Sequence, residues 1–187
     1  KDGHKEGKWS YYHERHDDVV QKYPNNFKSK VVHYEGGILN GEAKSWQQSG
    51  ILFHEGNYTN GEKDGKWISY NNNSDKKSYE EIFKNGVECG VRLSFYDNGQ
   101  LKKKVNYKLG KLNGELLSYF ENGQLLTRGN YKDGELDGPH EGFYENGQLK
   151  EKTNYKNGIK DGLWEHYEEN GQLEEKRNYK DGELDGP

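Results

Sequence analysis

The sequence predicts an all-β protein: an elongated, single-layer antiparallel meander of about seven 24-residue β-hairpin repeats. Three observations predict it. Glycines recur at a fixed period, Asn-Gly dipeptides sit at a fixed phase inside each period, and aromatic residues fill fixed positions between them. The period is plainest in Gly162–Gly186, GLWEHYEENGQLEEKRNYKDGELDG, and in Gly138–Gly162, GPHEGFYENGQLKEKTNYKNGIKDG. Taking the opening glycine as position zero, the zeros fall at Gly7, Gly41, Gly65, Gly90, Gly114, Gly138 and Gly162. Their spacings are 34, 24, 25, 24, 24 and 24 residues, and Gly186 would open an eighth unit. The reading is therefore one array over residues 1–187, with an insertion in the first unit within residues 13–29.

Composition bounds this fold. At 29% hydrophobic and 32% charged, the chain has little apolar surface to offset its conformational entropy. Yet 15 Tyr, 6 Phe and 4 Trp recur in phase, and rings bury large areas and suit strands. A thin fold with a small core of rings reconciles the two.

Each unit reads strand, turn, strand, turn. The first turn carries Asn98-Gly99, Asn122-Gly123, Asn146-Gly147 or Asn170-Gly171. Asn-Gly between two strand-like runs predicts a type I′ hairpin turn, in which both central residues need positive φ. An aromatic precedes it at position five: Tyr12, Trp46, Tyr70, Phe95, Tyr119, Phe143 and Tyr167. After the turn, a Leu is followed six residues later by Tyr58, Tyr107, Tyr131, Tyr155 or Tyr179, with Tyr34 the counterpart in the first unit. An even separation places both residues on one face of a strand. The second turn, Y-x-[ND]-G-x-x-[DN]-G, is expected to be the wider one. Position two is Trp in three units (Trp9, Trp67, Trp164) and Leu in Leu116. Positions two and five and the Leu/Tyr pair are expected to stack along one groove. About fourteen strands at roughly 4.8 Å spacing would extend about 65–70 Å. The turn glycines stop any helix from propagating.

The unit G-x-W-x-x-Y-[YE]-x-N-G-Q-L-x-x-x-x-N-Y-x-[ND]-G-x-x-[DN]-G resembles the MORN-repeat family, in the bacterial variant of YwqK-type antitoxins. The resemblance implies a hairpin-repeat sheet. It also implies a non-enzymatic interaction role, neutralising a partner toxin or serving as an adaptor, in the cytoplasm if the protein is an antitoxin. It brings no catalytic motif and no cofactor.

Little else points to chemistry. Basic and acidic residues (28 and 32) are well mixed, so nucleic-acid binding has no electrostatic support. No apolar run reaches the roughly 18 residues of a membrane-spanning helix. His13-Glu14-Arg15-His16-Asp17-Asp18 has metal-ligand residue types but no recognised zinc spacing, and reads as a solvated loop. Cys89 stands where other units carry Asp or Asn, and no disulfide is expected from a single Cys. The sequence begins at Lys1 in mid-pattern and has no Met, so the reading expects a missing natural N-terminus and leaves export open.

Binding sites depart from a repeat because their residues answer to a partner rather than to packing. The departures lie in residues 13–29 and 71–77. The candidate partner contacts are therefore His13, His16, Asp17, Asp18, Tyr23, Phe27, Trp9, Trp46, Trp67, Asn72 and Asn73, with the aromatic face between the two loops. The turn glycines Gly99, Gly123, Gly147 and Gly171 and the repeat tyrosines are read as structural. A protein partner is favoured. A surface protein binding glycan or host ligand is the alternative, and a membrane-associated scaffold ranks below both. The unpaired edges of an open sheet also leave end-to-end self-association open.

Overall fold

A computed structural model describes residues 3–12 and 28–186. It contains only strands and turns among those residues. Contacts divide the chain into two units, Lys1–Glu88 and Cys89–Pro187. The first contains β1 (Gly7–Tyr12), β2 (Lys28–Glu35), β3 (Ile38–Trp46), β4 (Leu52–Thr59), β5 (Glu62–Tyr70), β6 (Lys77–Lys84) and the short β7 (Val87–Glu88). The second contains β8 (Gly90–Phe95), β9 (Leu101–Lys108), β10 (Lys111–Leu112), β11 (Gly114–Tyr119), β12 (Leu125–Lys132), β13 (Glu135–Phe143), β14 (Leu149–Lys156), β15 (Ile159–Lys160), β16 (Gly162–Tyr167), β17 (Leu173–Lys180) and β18 (Glu183–Leu184). Within each unit, successive strands pair antiparallel, so each is an open meander.

The described residues form eighteen strands rather than fourteen: the residue before the zero glycine breaks a strand between β7 and β8, β10 and β11, and β15 and β16, and β18 begins a further unit. The interruption is a bulge. Along β12–β13 the register jumps between Gly129 and Tyr131, so Asp137, Gly138 and Pro139 face the single Asn130. The zero glycines take the left-handed conformation, with Gly138 at φ 103° and Gly162 at 106°. The Asn before each repeat tyrosine fills the gap: Asn106 and Asn154 donate from Nδ2 to the Glu115 and Asp161 carbonyls, both at 3.1 Å. Each repeat Tyr lies opposite a zero glycine, as in Gly41↔Tyr58 and Gly138↔Tyr155.

The turns are the reverse of the sequence expectation. Gly99 N–H donates to the Tyr96 carbonyl at 2.8 Å, making Asp97 and Asn98 the central pair. Only Gly99, at φ 93°, is left-handed; Asn98 is not. This is a three-residue loop, a type I turn closed by a left-handed glycine. The Asn side chain caps the turn instead of entering it, its Oδ1 accepting Gln100 N–H at 2.8 Å. The type I′ geometry occurs at the second turn, where Asn60 and Gly61 have φ 52° and 86° and Thr59 pairs directly with Glu62.

That assignment exposes one strained residue. The left-handed slot held by Asn60, Asn85, Asp133, Asn157 and Asp181 is held by Leu109 in the fourth unit, at φ 51° and 82% exposed. A left-handed residue with an apolar side chain costs about 1–2 kcal/mol, and Asn avoids much of that through local hydrogen bonding. Leu109→Asn is therefore expected to stabilise the protein by about 1 kcal/mol, read as a raised urea midpoint.

The core is one row of side chains crossing each unit. In the first it runs Trp9, Val32, Ala43, Gly56, Trp67, with direct partners Trp9↔Val32, Val32↔Ala43 and Ala43↔Gly56. In the second, Arg92↔Val105, Leu116↔Gly129, Gly129↔His140 and His140↔Thr153 continue the pattern. Directly opposed residues share a face. Val32, Ala43, Trp67, Val105 and Leu116 in this row are at most 7% exposed, and Val32 is fully buried. Large and small alternate: a Cβ on Gly56 would lie 2.3 Å from Cδ2 of Trp67, and one on Gly129 2.9 Å from Cδ2 of His140. The repeat tyrosines are half-buried beside the row, edge-on to its rings, with Tyr58 and Trp67 centroids 5.0 Å apart.

Position five does not join this core. Positions two and five are three residues apart and fall on opposite faces. Tyr70 accordingly donates to Glu55 at 2.6 Å and Tyr167 to Glu165 at 2.8 Å, both acids on the charged face. The expected single groove is thus two separate surfaces. Of the leucines after the first turn, Leu52, Leu101, Leu125 and Leu149 are half-buried, and Leu173 is 50% exposed.

Candidate binding groove on the first unit

The charged face carries ion pairs along most of each unit. Lys44–Glu55 closes at 2.8 Å, and Lys152–Glu165 also at 2.8 Å. At one margin of the first unit the pattern changes. The column holding Val31 is occupied elsewhere by Glu55, Glu80, Lys104, Arg128, Lys152 and Lys176. Val31 is only 7% exposed and makes an apolar floor where other repeats place a charge. Two positions on, His33 stands in a column that is Asn in five other units. Beside them Trp46 replaces the Tyr or Phe of position five.

These three substitutions meet. Val31, His33 and Trp46 line an open groove of about 260 Å³ together with Lys8, Lys28, Lys44 and Glu42. The register explains the meeting: Lys8 lies opposite His33, and Val31 lies between Ser10 and Lys44. His33 keeps the bulge-filling role of the Asn it replaces. Its Nδ1 is 3.0 Å from the Glu42 carbonyl, which can only accept, so Nδ1 carries the proton and Nε2 is left for other contacts.

The wall at Lys44 is braced from behind. Glu55 accepts from Lys44 and from the Tyr70 hydroxyl, and both bonds hold its carboxyl below the usual carboxylate range. Burial, reinforced by that carboxylate, pushes the Tyr70 hydroxyl up to about 12. Tyr70 thus stays a neutral donor across the physiological range. Lys8 and Lys28 differ from Lys44: both are exposed and form no ion pair among the described residues.

The sequence-derived candidates distribute unevenly around this groove. His13, His16, Asp17, Asp18, Tyr23 and Phe27 lie outside the described residues. Trp46 lines the groove. Trp9 is on the opposite face, edge-on to Tyr34 at 6.3 Å and with Lys5 Nζ 5.0 Å from its ring. Trp67, at 6% exposure, is core, and its Nε1 donates to the Asn57 carbonyl at 3.0 Å. No partner reaches it without displacing the strands around it. Asn72 lies in the turn after β5 and accepts from Gln47 Nε2 at 3.5 Å, while Gln47 also reaches the Asn71 carbonyl at 3.3 Å. Asn73 is exposed in the same turn. The turn beyond Trp46 and the Asn72 turn are therefore tied together at the margin where Tyr12 pairs with Lys28.

Sequence reasoning missed Val31, His33, Lys8, Lys28 and Lys44. The signal for the first two was available as a column comparison, apolar among charges and His among asparagines. A second coupling was also readable. Every Trp at position two has a Lys four residues earlier, as Lys5/Trp9, Lys63/Trp67 and Lys160/Trp164, with ammonium-to-ring distances of 5.0, 4.5 and 5.5 Å. Where position two is Ala43, Leu116 or His140, the earlier residue is Leu39, Leu112 or Leu136. In these three units the ammonium lies over the indole and also over the repeat ring beside it, Tyr34, Phe83 or Tyr179.

Among the described residues, no group of His, Cys, Asp and Glu is arranged to hold a metal ion, and no helix is long and apolar enough to cross a membrane. Comparison with curated proteins finds no match. The family described as MORN repeat variant matches residues 88–109, 112–133, 136–157 and 160–181. Each matched stretch carries the second turn, the bulge or the paired strands described above, and the groove lies outside all four. The segment 88–181 is therefore a run of four MORN repeats of the variant type.

Proposed function

We propose that this chain is a non-enzymatic protein-binding module, with the repeats as scaffold and the groove margin of the first unit as its contact surface. One observation carries the reading: the three off-pattern residues Val31, His33 and Trp46 converge on one groove. Packing does not account for them, because other units place charge, Asn and Tyr or Phe at the same positions with the strands intact. Departures from a repeat that cluster in space answer to something other than the scaffold. MORN repeats are commonly protein- or membrane-interaction modules, and the mixed charge of the chain favours the first. Toxin neutralisation is the finer form of this proposal and rests on the resemblance to YwqK-type antitoxins.

The test returns the groove to the repeat pattern. A Val31→Lys, His33→Asn, Trp46→Phe variant should keep its strand content, since each replacement is native to another unit. Tagged wild-type and variant chains are used as bait in extract from the source cells. The reading expects a protein retained by wild type and lost from the variant. Equal retention by both would place the contact elsewhere. For the finer form, co-expression with a toxin encoded beside it should restore growth, and no rescue would remove it.

A further inference from the structure

From the chemistry of its walls, we infer that the groove takes an acidic segment of a protein partner, anchored by one apolar side chain. The inference rests on the binding role proposed above and adds the partner's chemistry. Size is the first argument. A groove of about 260 Å³ lies below the roughly 300–1,000 Å³ of small-molecule and cofactor sites, and it suits one large side chain. Its floor is Val31 and one wall is Trp46, so that side chain meets apolar surface. Interfaces take most of their energy from such single anchors in small pockets.

Charge is the second argument. Three lysines border the groove against one acid, Glu42, although the chain as a whole carries a net charge of −4. Lys44 is held by Glu55 at 2.8 Å. Lys8 and Lys28 stand exposed with no acid partner among the described residues, one on β1 and the other at the start of β2. They are placed to meet carboxylates flanking the anchor, while Glu42 lies along the same rim and disfavours a second acid there. The His33 Nδ1–H is already spent on the Glu42 carbonyl. Its Nε2 takes no part in that bond and is left for the occupant of the groove. A basic segment would meet Lys8 and Lys28, which have no acid partner among the described residues, and would be repelled.

The probe is the synthetic peptide Glu-Glu-Phe-Glu-Glu, with Lys-Lys-Phe-Lys-Lys as control, titrated into the full isotope-labelled chain and followed by NMR. The acidic peptide should shift the Val31 methyl and Trp46 indole signals and leave those of Val105 and Trp164 in place. Raising salt from about 0.05 to 0.3 M should weaken binding several-fold, because rim charges are screened. Lys8→Glu with Lys28→Glu should weaken it at least about tenfold, and both positions are exposed, so the fold tolerates the change. No shift with the acidic peptide, an equal response to the lysine peptide, or indifference to the double substitution would each overturn the inference. The binding role fails separately, if the groove-reverted variant keeps the cellular partner.

Discussion

Replacing Trp67 by Ala is expected to cost about 4 kcal/mol, the range for an indole removed from a packed interior. Trp67 is 6% exposed, donates its Nε1–H to the Asn57 carbonyl and lies under Lys63 at 4.5 Å. The reciprocal change is as informative. Gly56 has an ordinary strand backbone, so a side chain there meets no conformational penalty. It meets the indole instead: a Cβ would sit 2.3 Å from Cδ2 of Trp67 and 2.5 Å from Cε2. Gly56→Val should therefore cost about 3 kcal/mol by overpacking. In Gly56→Val, Trp67→Ala the new methyls occupy space the indole left. The double variant is expected to lose at least about 1 kcal/mol less than the sum of the singles. Urea unfolding of the four chains measures this. Additive losses would mean that the two residues do not share one space.

Val32→Ala is expected to cost about 2.5 kcal/mol. Val32 is the one fully buried side chain of the row, set between Trp9 and Ala43. Ala43 is too small to close the cavity, and Trp9 is held edge-on to Tyr34. Val105→Ala, at a 4% exposed site in the equivalent column, should behave alike. Leu173→Ala should cost less than about 0.5 kcal/mol, since Leu173 is half exposed. Denaturant midpoints of the three variants decide between two cores. Periodicity alone placed positions two and five and the Leu/Tyr pair in one core; the register keeps position two, sets Val32 beside it and moves position five to the opposite face. A larger loss at Leu173 than at Val32 would overturn the observed row.

The same contrast marks what could be read in advance. The repeat boundaries, the all-β class and the antiparallel order follow from spacing, because glycine at a fixed phase ends each strand wherever the chain folds. The turn types did not follow. Asn-Gly is compatible both with a two-residue loop, in which Asn is left-handed, and with a three-residue loop, in which only Gly is. The choice depends on which residues the neighbouring strands pair. Asn98 thus caps a turn it was expected to enter, and Asn60-Gly61 forms the tight turn that looked the wider one.

The candidate site was legible in part. Trp46 was named because it is a large ring near a break in the pattern, and it does line the groove. Trp9 and Trp67 carried the same signal and belong to the opposite face, one beneath Lys5 and the other buried. Residue type is shared by all three; only parity along the strand separates them. Val31 and His33 gave a weaker signal, since a single Val or His is ordinary until compared with its own column.

For this protein, sequence by itself determined the unit, its period and where strands must stop, since these depend on local backbone chemistry. Tertiary structure decided which side chains share a face, which glycine makes room for which ring, and that Val31, His33 and Trp46 meet. Each of those is a relation between strands. The bulge at a zero glycine such as Gly138 sets two extra residues against the partner strand, and a one-residue shift precedes each position-five aromatic, so counting along one strand could not place them.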